Sequence, residues 1–190
     1  MRKILFAIST LLFIFVFQIE QSYGQDGFFT DARSPSAQNF SISVQPTILT
    51  AGDNEFMLNL RSSYAFDDGV VGHLKVGLFT DQIFFGGHLH YQFYVQDRFS
   101  AALLFGAQDW GEMGLKSGVN ATYNFDPFSL FGGVLYQPYF TEPTIHAVLI
   151  PLGIEIPVSE RMNFLFEVNV GMNDDARSLE KISLGGVFYL

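Results

Sequence analysis

Four histidines and a handful of charges carry most of the chemistry available to this chain. His88 and His90 are two apart, and residues two apart on an extended segment share a face. His73, on the segment before, falls on a polar face that can meet theirs. Two imidazoles with a nearby carboxylate can hold a metal such as zinc. An imidazole beside a hydroxyl can act as a general base. The same polar faces carry Glu55, Arg61, Lys75, Lys116, Glu155 and Glu167, with Asn59, Gln92, Asn120, Asn124 and Asn169 among them. No fixed metal-ligand motif frames the histidines, and no Gly-x-Ser-x-Gly nucleophile elbow occurs. His146 has Glu142 nearby but no serine. Charges of both signs enclosed together pair and hydrogen-bond. That ionic and hydrogen-bonded plug is the role expected of all nine residues, with no catalytic, metal or cofactor site.

The elements that position these residues are alternating segments. From Glu55 to Phe66, the residues Phe56, Leu58, Leu60, Tyr64 and Phe66 face one way, while Glu55, Asn59, Arg61 and Ser63 face the other. Side chains alternate across a strand, so such a stretch has one apolar and one polar surface. The spacing predicts ten strands, near 39–50, 55–66, 70–80, 83–95, 98–109, 114–125, 128–138, 145–158, 162–172 and 182–190. Merging weak strands would leave eight. Each is close to the ~9–11 residues that a tilted strand needs to cross a bilayer.

The turns give a second, independent pattern. Asp67-Asp68-Gly69, Gln96-Asp97, Asp126-Pro127 and Ser159-Glu160-Arg161 are short and built from turn formers. The alternate connections, 109–113, 139–144 and 173–181, are longer. Short periplasmic turns opposed by longer outer loops are the mark of bacterial outer-membrane barrels. The outer loops are too short for a folded lid.

Bulk properties agree. Met1-Arg2-Lys3, the apolar run Ile4 to Phe17 and Ser22-Tyr23-Gly24 form a secretion signal, expected to be cut after residue 24. Residues 25–38 read as a polar periplasmic lead-in and 39–190 as one barrel domain. The chain has no cysteine, which removes disulfides and thiolate metal sites. It has 19 acidic against 10 basic residues. Removing Arg2, Lys3 and Glu20 with the leader leaves 18 against 8, a net of −10, which repels nucleic-acid phosphates. Charged residues are 15% and aromatic residues 16% of the chain. A soluble domain is roughly 25% charged.

Alternation alone does not say which face points outward, since a soluble barrel would bury its apolar face. The polar face is small, amide-rich and lightly charged, which suits a crowded lumen. Aromatic residues gather at strand ends: Tyr64, Phe66, Phe93, Phe99, Tyr123, Phe125, Phe128 and Phe164 abut the short turns, and Trp110 lies at the opposite rim. These are the positions of an interfacial girdle, where a ring meets both lipid and water. Phe84, Tyr94, Leu104, Phe131, Leu135 and Leu149 are expected to point inward and to constrict the lumen.

Over residues 39–190 the chain resembles the small outer-membrane barrels of the OmpA/OmpX-like group. The likeness lies in strand length, polar interior and the closing segment from Ile182 to Leu190. That segment is similar to the terminal strand signal read by the barrel-assembly machinery, though it ends in Tyr189-Leu190 where Phe is usual. The resemblance implies insertion by that machinery into the outer membrane, with anchoring, adhesion or envelope integrity as roles. The expectation is a monomer surrounded by lipid, its lumen plugged. A small-solute channel and a lipid- or peptide-modifying enzyme are the alternatives.

Overall fold

The computed structural model describes residues 40–50, 55–67, 69–79, 83–109 and 112–190. The leader, the lead-in and Trp110 lie outside them. Ten antiparallel strands close into one barrel: β1 Phe40–Leu49, β2 Phe56–Asp67, β3 Val70–Leu78, β4 Ile83–Gln96, β5 Phe99–Asp109, β6 Met113–Asn124, β7 Ser129–Tyr139, β8 Ile145–Ser159, β9 Met162–Gly171 and β10 Lys181–Tyr189. Each pairs with its sequence neighbours, and β1 pairs with β10 from Ser41↔Tyr189 to Leu49↔Lys181. The eight-strand alternative therefore drops out.

Register is set by alternation, because a one-residue slip would turn every side chain to the wrong face. Buried and exposed positions alternate along β1, β2, β3 and β10 with little interruption. The exposed set is apolar: Ile42, Val44, Leu60, Leu74, Leu89, Phe105, Val119, Val134, Leu152 and Leu184. The buried set is mostly polar: Ser43, Gln45, Asn59, Arg61, His73, Lys75, Asn120, Gln137 and Glu167. The barrel is thus apolar outside and polar inside, the reverse of a water-soluble barrel.

At one end the turns are tight. Gly69 has φ of 96°, and Asp97 and Asp126 have φ of 46° and 39°. This left-handed region suits glycine, and the short side chain of Asp tolerates it better than most. All three strand irregularities sit at this same end, between Ala65 and Asp67, Gln92 and Tyr94, and Pro157 and Ser159. Each shifts the parity of the strand residues beyond it. In β4 that shift overturns the expected inward placing of Tyr94. Its ring is 43% exposed and meets Phe99 edge-on, the centroids 5.9 Å apart.

At the other end the β9–β10 loop is folded, against the expectation of loops too short for a lid. One helical turn, α1 (Asp174–Arg177), lies over the mouth with Ala176 and Leu179 buried against the lumen cluster. Two side chains tie it to β8: Asn173 Oδ1 accepts from the Val148 N–H at 3.0 Å and Asp175 Oδ2 from the His146 N–H at 2.9 Å. Glu180 accepts from the Gly171 N–H at 3.1 Å. A Cβ on Gly171 would stand 2.7 Å from the Ala176 carbonyl, so only glycine lets α1 sit this close. Gly171→Val should lift α1 from the mouth. Trypsin should then cleave after Arg177 in a barrel that still migrates as folded on a gel; unchanged resistance would show that α1 is held some other way.

Candidate functional site: the lumen

The register brings the sequence-predicted polar residues of β2 to β6 together. Arg61 pairs with Lys75 and Ser63 with His73 across β2–β3. His73 pairs with His88 and Val71 with His90 across β3–β4. Lys116 reaches the same wall from β6, paired with Gly106. The His73 and His88 rings stack with centroids 4.4 Å apart, and His90 is 6.0 Å from His73. Ser63 Oγ and His73 Nδ1 are hydrogen-bonded at 2.7 Å, and the Asn120 side chain bonds His90. All three imidazoles leave Nε2 buried and without a protein partner.

Glycines make the room. A Cβ at Gly106 would lie 2.3 Å from the Gly87 carbonyl and 2.5 Å from His88 Cβ, so β5 runs close against the β4 backbone there. Phe84 is 0% exposed and occupies the hollow left by Gly77 and Gly86, whose Cβ atoms would meet its ring at 2.9 and 2.8 Å.

The carboxylates face from the other wall. Glu155 on β8 accepts from Asn163 Nδ2 and from the Tyr189 hydroxyl. Glu167 on β9 accepts from Asn169 Nδ2 at 2.5 Å. Glu55, predicted on the polar face, stands half-buried at the mouth beside β2. Polar ties cross the strands between the two walls. Asn59 Nδ2 donates to Thr47 Oγ1 at 3.0 Å, which bonds Ser183 Oγ at 2.9 Å, joining β2, β1 and β10. Gln108 Nε2 donates to the Tyr139 hydroxyl at 2.5 Å, joining β5 to β7. Such pairing of enclosed polar groups is required, because an unsatisfied one costs roughly 1–3 kcal/mol.

Sequence reasoning misses Lys181. It is 1% exposed and faces inward at the start of β10, paired with Asn169 and Leu49. The alternation Lys181, Ser183, Gly185, Val187 holds the signal, but the sequence pattern starts the strand one residue later. The Ser63–His73 contact is missed too, because it crosses two strands.

That contact is enclosed within the barrel. A catalytic imidazole needs a group to orient it and access to substrate. His73 Nε2 has no protein partner, and both residues are buried. Among the described residues no group of three or more His, Asp or Glu could hold a metal. The imidazoles stack instead of converging.

The remaining lumen is apolar. Leu104, Phe131, Leu135, Tyr139, Leu149 and Leu165 form one cluster that α1 completes from above. A Cβ on Gly153 would lie 2.2 Å from the Phe131 ring, so that ring rests directly on the β8 backbone.

The predicted girdle rings lie at the short-turn end. Tyr64 and Phe66 meet edge-on at 5.2 Å, Tyr123 and Phe125 lie tilted at 4.6 Å, and Phe125 stacks on Phe128 at 5.2 Å. Tyr64, Phe66, Phe93, Phe99, Tyr123, Phe125 and Phe164 are exposed on the outer surface, and Phe128 is half-buried.

No family model matches the sequence. No curated protein matches it either. Among solved structures the chain is similar to the KdgM porin, at 12% identity and a TM-score of 0.55 over 78% of this chain and 98% of that one. A structure of the KdgM porin in complex with disordered oligogalacturonate gives the same values. The N-terminal β-barrel domain of Pseudomonas aeruginosa OprF aligns over 82% of this chain and all of that one, at 13% identity and a TM-score of 0.41. The likeness to the KdgM porin is one of fold, and it places the chain's architecture with the small outer-membrane β-barrels.

Proposed function

We propose that this chain is an outer-membrane barrel with a closed lumen, serving a structural or adhesive role in the cell envelope. The observation that carries this reading is the packing of the interior. Phe84, Leu104, Ala147 and Leu149, on β4, β5 and β8, are completely buried. In a barrel of about this size the interior is just wide enough for side chains to fill. Leu74, Phe105, Val134 and Leu152, exposed around the outside, have hydrocarbon as their natural solvent. The rings at the short-turn end then form the periplasmic girdle, and α1 lies on the outer side. Insertion by the barrel-assembly machinery and a monomeric state fit a barrel in which β1 and β10 close on each other.

A solute channel is the competing reading, and the fold of the KdgM porin is its support. The lumen argues against it: glycines that would widen a pore, Gly86 and Gly118, are filled by Phe84 and by Leu135 with the Val134 carbonyl. The purified protein should therefore give no discrete conductance steps in planar bilayers, although it inserts and resists heat as a folded barrel. Reproducible steps from the wild-type chain would replace the closed barrel with a channel.

A further inference from the structure

One dipeptide occurs twice where the barrel's hydrogen bonding lapses: Gln45-Pro46 in β1 and Gln137-Pro138 in β7. In both, the buried glutamine faces the lumen and the half-buried proline faces outward. The β1–β10 pairing runs from Ser41↔Tyr189 to Val44↔Gly186 and resumes at Thr47↔Ser183, skipping Gln45 and Pro46. The β6–β7 pairing passes from Gly114↔Tyr139 to Ser117↔Tyr136, skipping Gln137 and Pro138. Hydrogen-bonded positions in an antiparallel ladder recur every second residue. In the first seam the Thr50 N–H donates to the Glu180 carbonyl at one end and the Leu190 N–H to that of Phe40 at the other. Counting inward by twos from either end brings Pro46 opposite Leu184. In the second, Phe140 donates to Met113 and Phe125 to Phe128, which brings Pro138 opposite Leu115. Proline has no N–H. The Leu184 and Leu115 carbonyls therefore lose the donor that the ladder would give them, and lipid outside offers no substitute.

The glutamines carry the complementary need. Neither end of the Gln45 carboxamide has a hydrogen-bond partner in the protein, so turning the amide over changes nothing. Gln137 Oε1 accepts from the Tyr139 hydroxyl at 3.3 Å, which leaves its Nε2 buried and unpartnered. Each gap thus sets a buried N–H donor beside a carbonyl short of one. A single water joins such a pair, because it accepts from the amide and donates to the carbonyl. The β1–β10 seam offers that water further groups. Ser43 Oγ and Asn59 Oδ1, on the same wall, are buried without partners. Gly185 follows Leu184 and puts no side chain over the peptide; Gln45 Cγ lies 3.2 Å from its Cβ position.

We propose that each Gln-Pro gap binds one ordered water, which relays an N–H of the glutamine carboxamide to the carbonyl that proline leaves open. The ligand is a water and not a larger solute, because Gln45, Gln137 and their inward neighbours Thr47, Asn59 and Ala147 are at most 2% exposed. The two waters act as rungs. One completes β1–β10, the seam that closes the barrel, and the other holds β7 to β6 below the outer rim. The inference rests on the closed-lumen reading. Conductance steps in planar bilayers would remove that reading and this one with it, whereas silent bilayers with no water in the gaps would sink the water sites alone.

The test is a crystal structure of the full barrel, joined to hydrogen exchange of the same protein in nanodiscs. Density for an ordered water should stand about 2.7–3.2 Å from the carboxamide and from the carbonyl in each gap. Gln45→Leu supplies the exchange measurement. If a water bridges, removing its holder leaves the Leu184 carbonyl bare and weakens the seam. The Leu184 and Gly186 amides should then exchange about tenfold faster, set against amides of the unbroken β5–β6 pairing. If none binds, the change merely deletes an unpartnered amide from the interior, and exchange should hold steady or slow. Should Gln45→Leu fail to fold, the wild-type density decides. Density missing from either gap, a glutamine bonded directly to the carbonyl, or unaltered exchange in Gln45→Leu would each overturn the proposal.

Discussion

Leu74→Arg should destabilise the barrel in a lipid bilayer by about 2–4 kcal/mol, the cost of a cation on the lipid face at the midplane. Leu74 is the fifth residue of the nine in β3, between Ser62 on β2 and Gly87 on β4, and it is 69% exposed. In water such an exposed leucine would be replaced at a cost near zero, since surface changes away from special features usually stay within about ±0.5 kcal/mol. The two solvents therefore predict different numbers for the same residue. Reversible denaturant unfolding from vesicles measures it, with Leu78→Arg at the end of the same strand as a control. The penalty should shrink toward about 0–1 kcal/mol as the site approaches the interface. A flat, negligible profile along β3 would remove hydrocarbon from the outer face.

The second large effect lies inside. Phe131→Ala should cost about 3–5 kcal/mol, the range for deleting a buried aromatic ring. The ring is nearly inaccessible and is seated on Gly153 of β8 in the middle of the apolar cluster. Gly153→Val attacks the same contact from the other side. Its side chain would meet both the Phe131 ring and the Phe166 carbonyl, which lies 2.7 Å from the Cβ position. Overpacking of this kind costs typically about 1–3 kcal/mol. If the ring and the glycine share one space, the two changes will not add, and neighbours of this kind couple by roughly 0.5–3 kcal/mol. The double variant should thus be more stable than the sum of the single losses requires. Strict additivity would mean that ring and backbone are not in contact, and that the interior is looser than described.

How much of this is legible in the sequence depends on whether the signal is local. The ten strands are, because each is a run of alternation long enough to cross a bilayer and bounded by turn formers. The inward set on β2 and β3, with Arg61, His73 and Lys75, comes from the same parity. Tyr94 is misplaced because the irregularity between Gln92 and Tyr94 is set by how β4 meets β5, and nothing in the run from His90 to Gln96 announces it. Lys181 is missed because a lysine at a strand start looks the same as one at a loop end. The Ser63–His73 bond and the stacked histidines need the register between strands, which alternation fixes only modulo two. The single turn of α1 is too short to give a period, and its docking depends on Gly171 from another element.

The clasp between α1 and β8 has a further meaning. Beyond the last rung that β8 shares with β9, Leu149↔Gly171, the N–H groups of His146 and Val148 would otherwise project sideways as an open template. Asn173 and Asp175 occupy both, as a partner strand's carbonyls would. Exposed strand margins of that kind invite a second chain to zip onto them. With both donors already engaged, that margin gives a second strand neither of these N–H groups to extend.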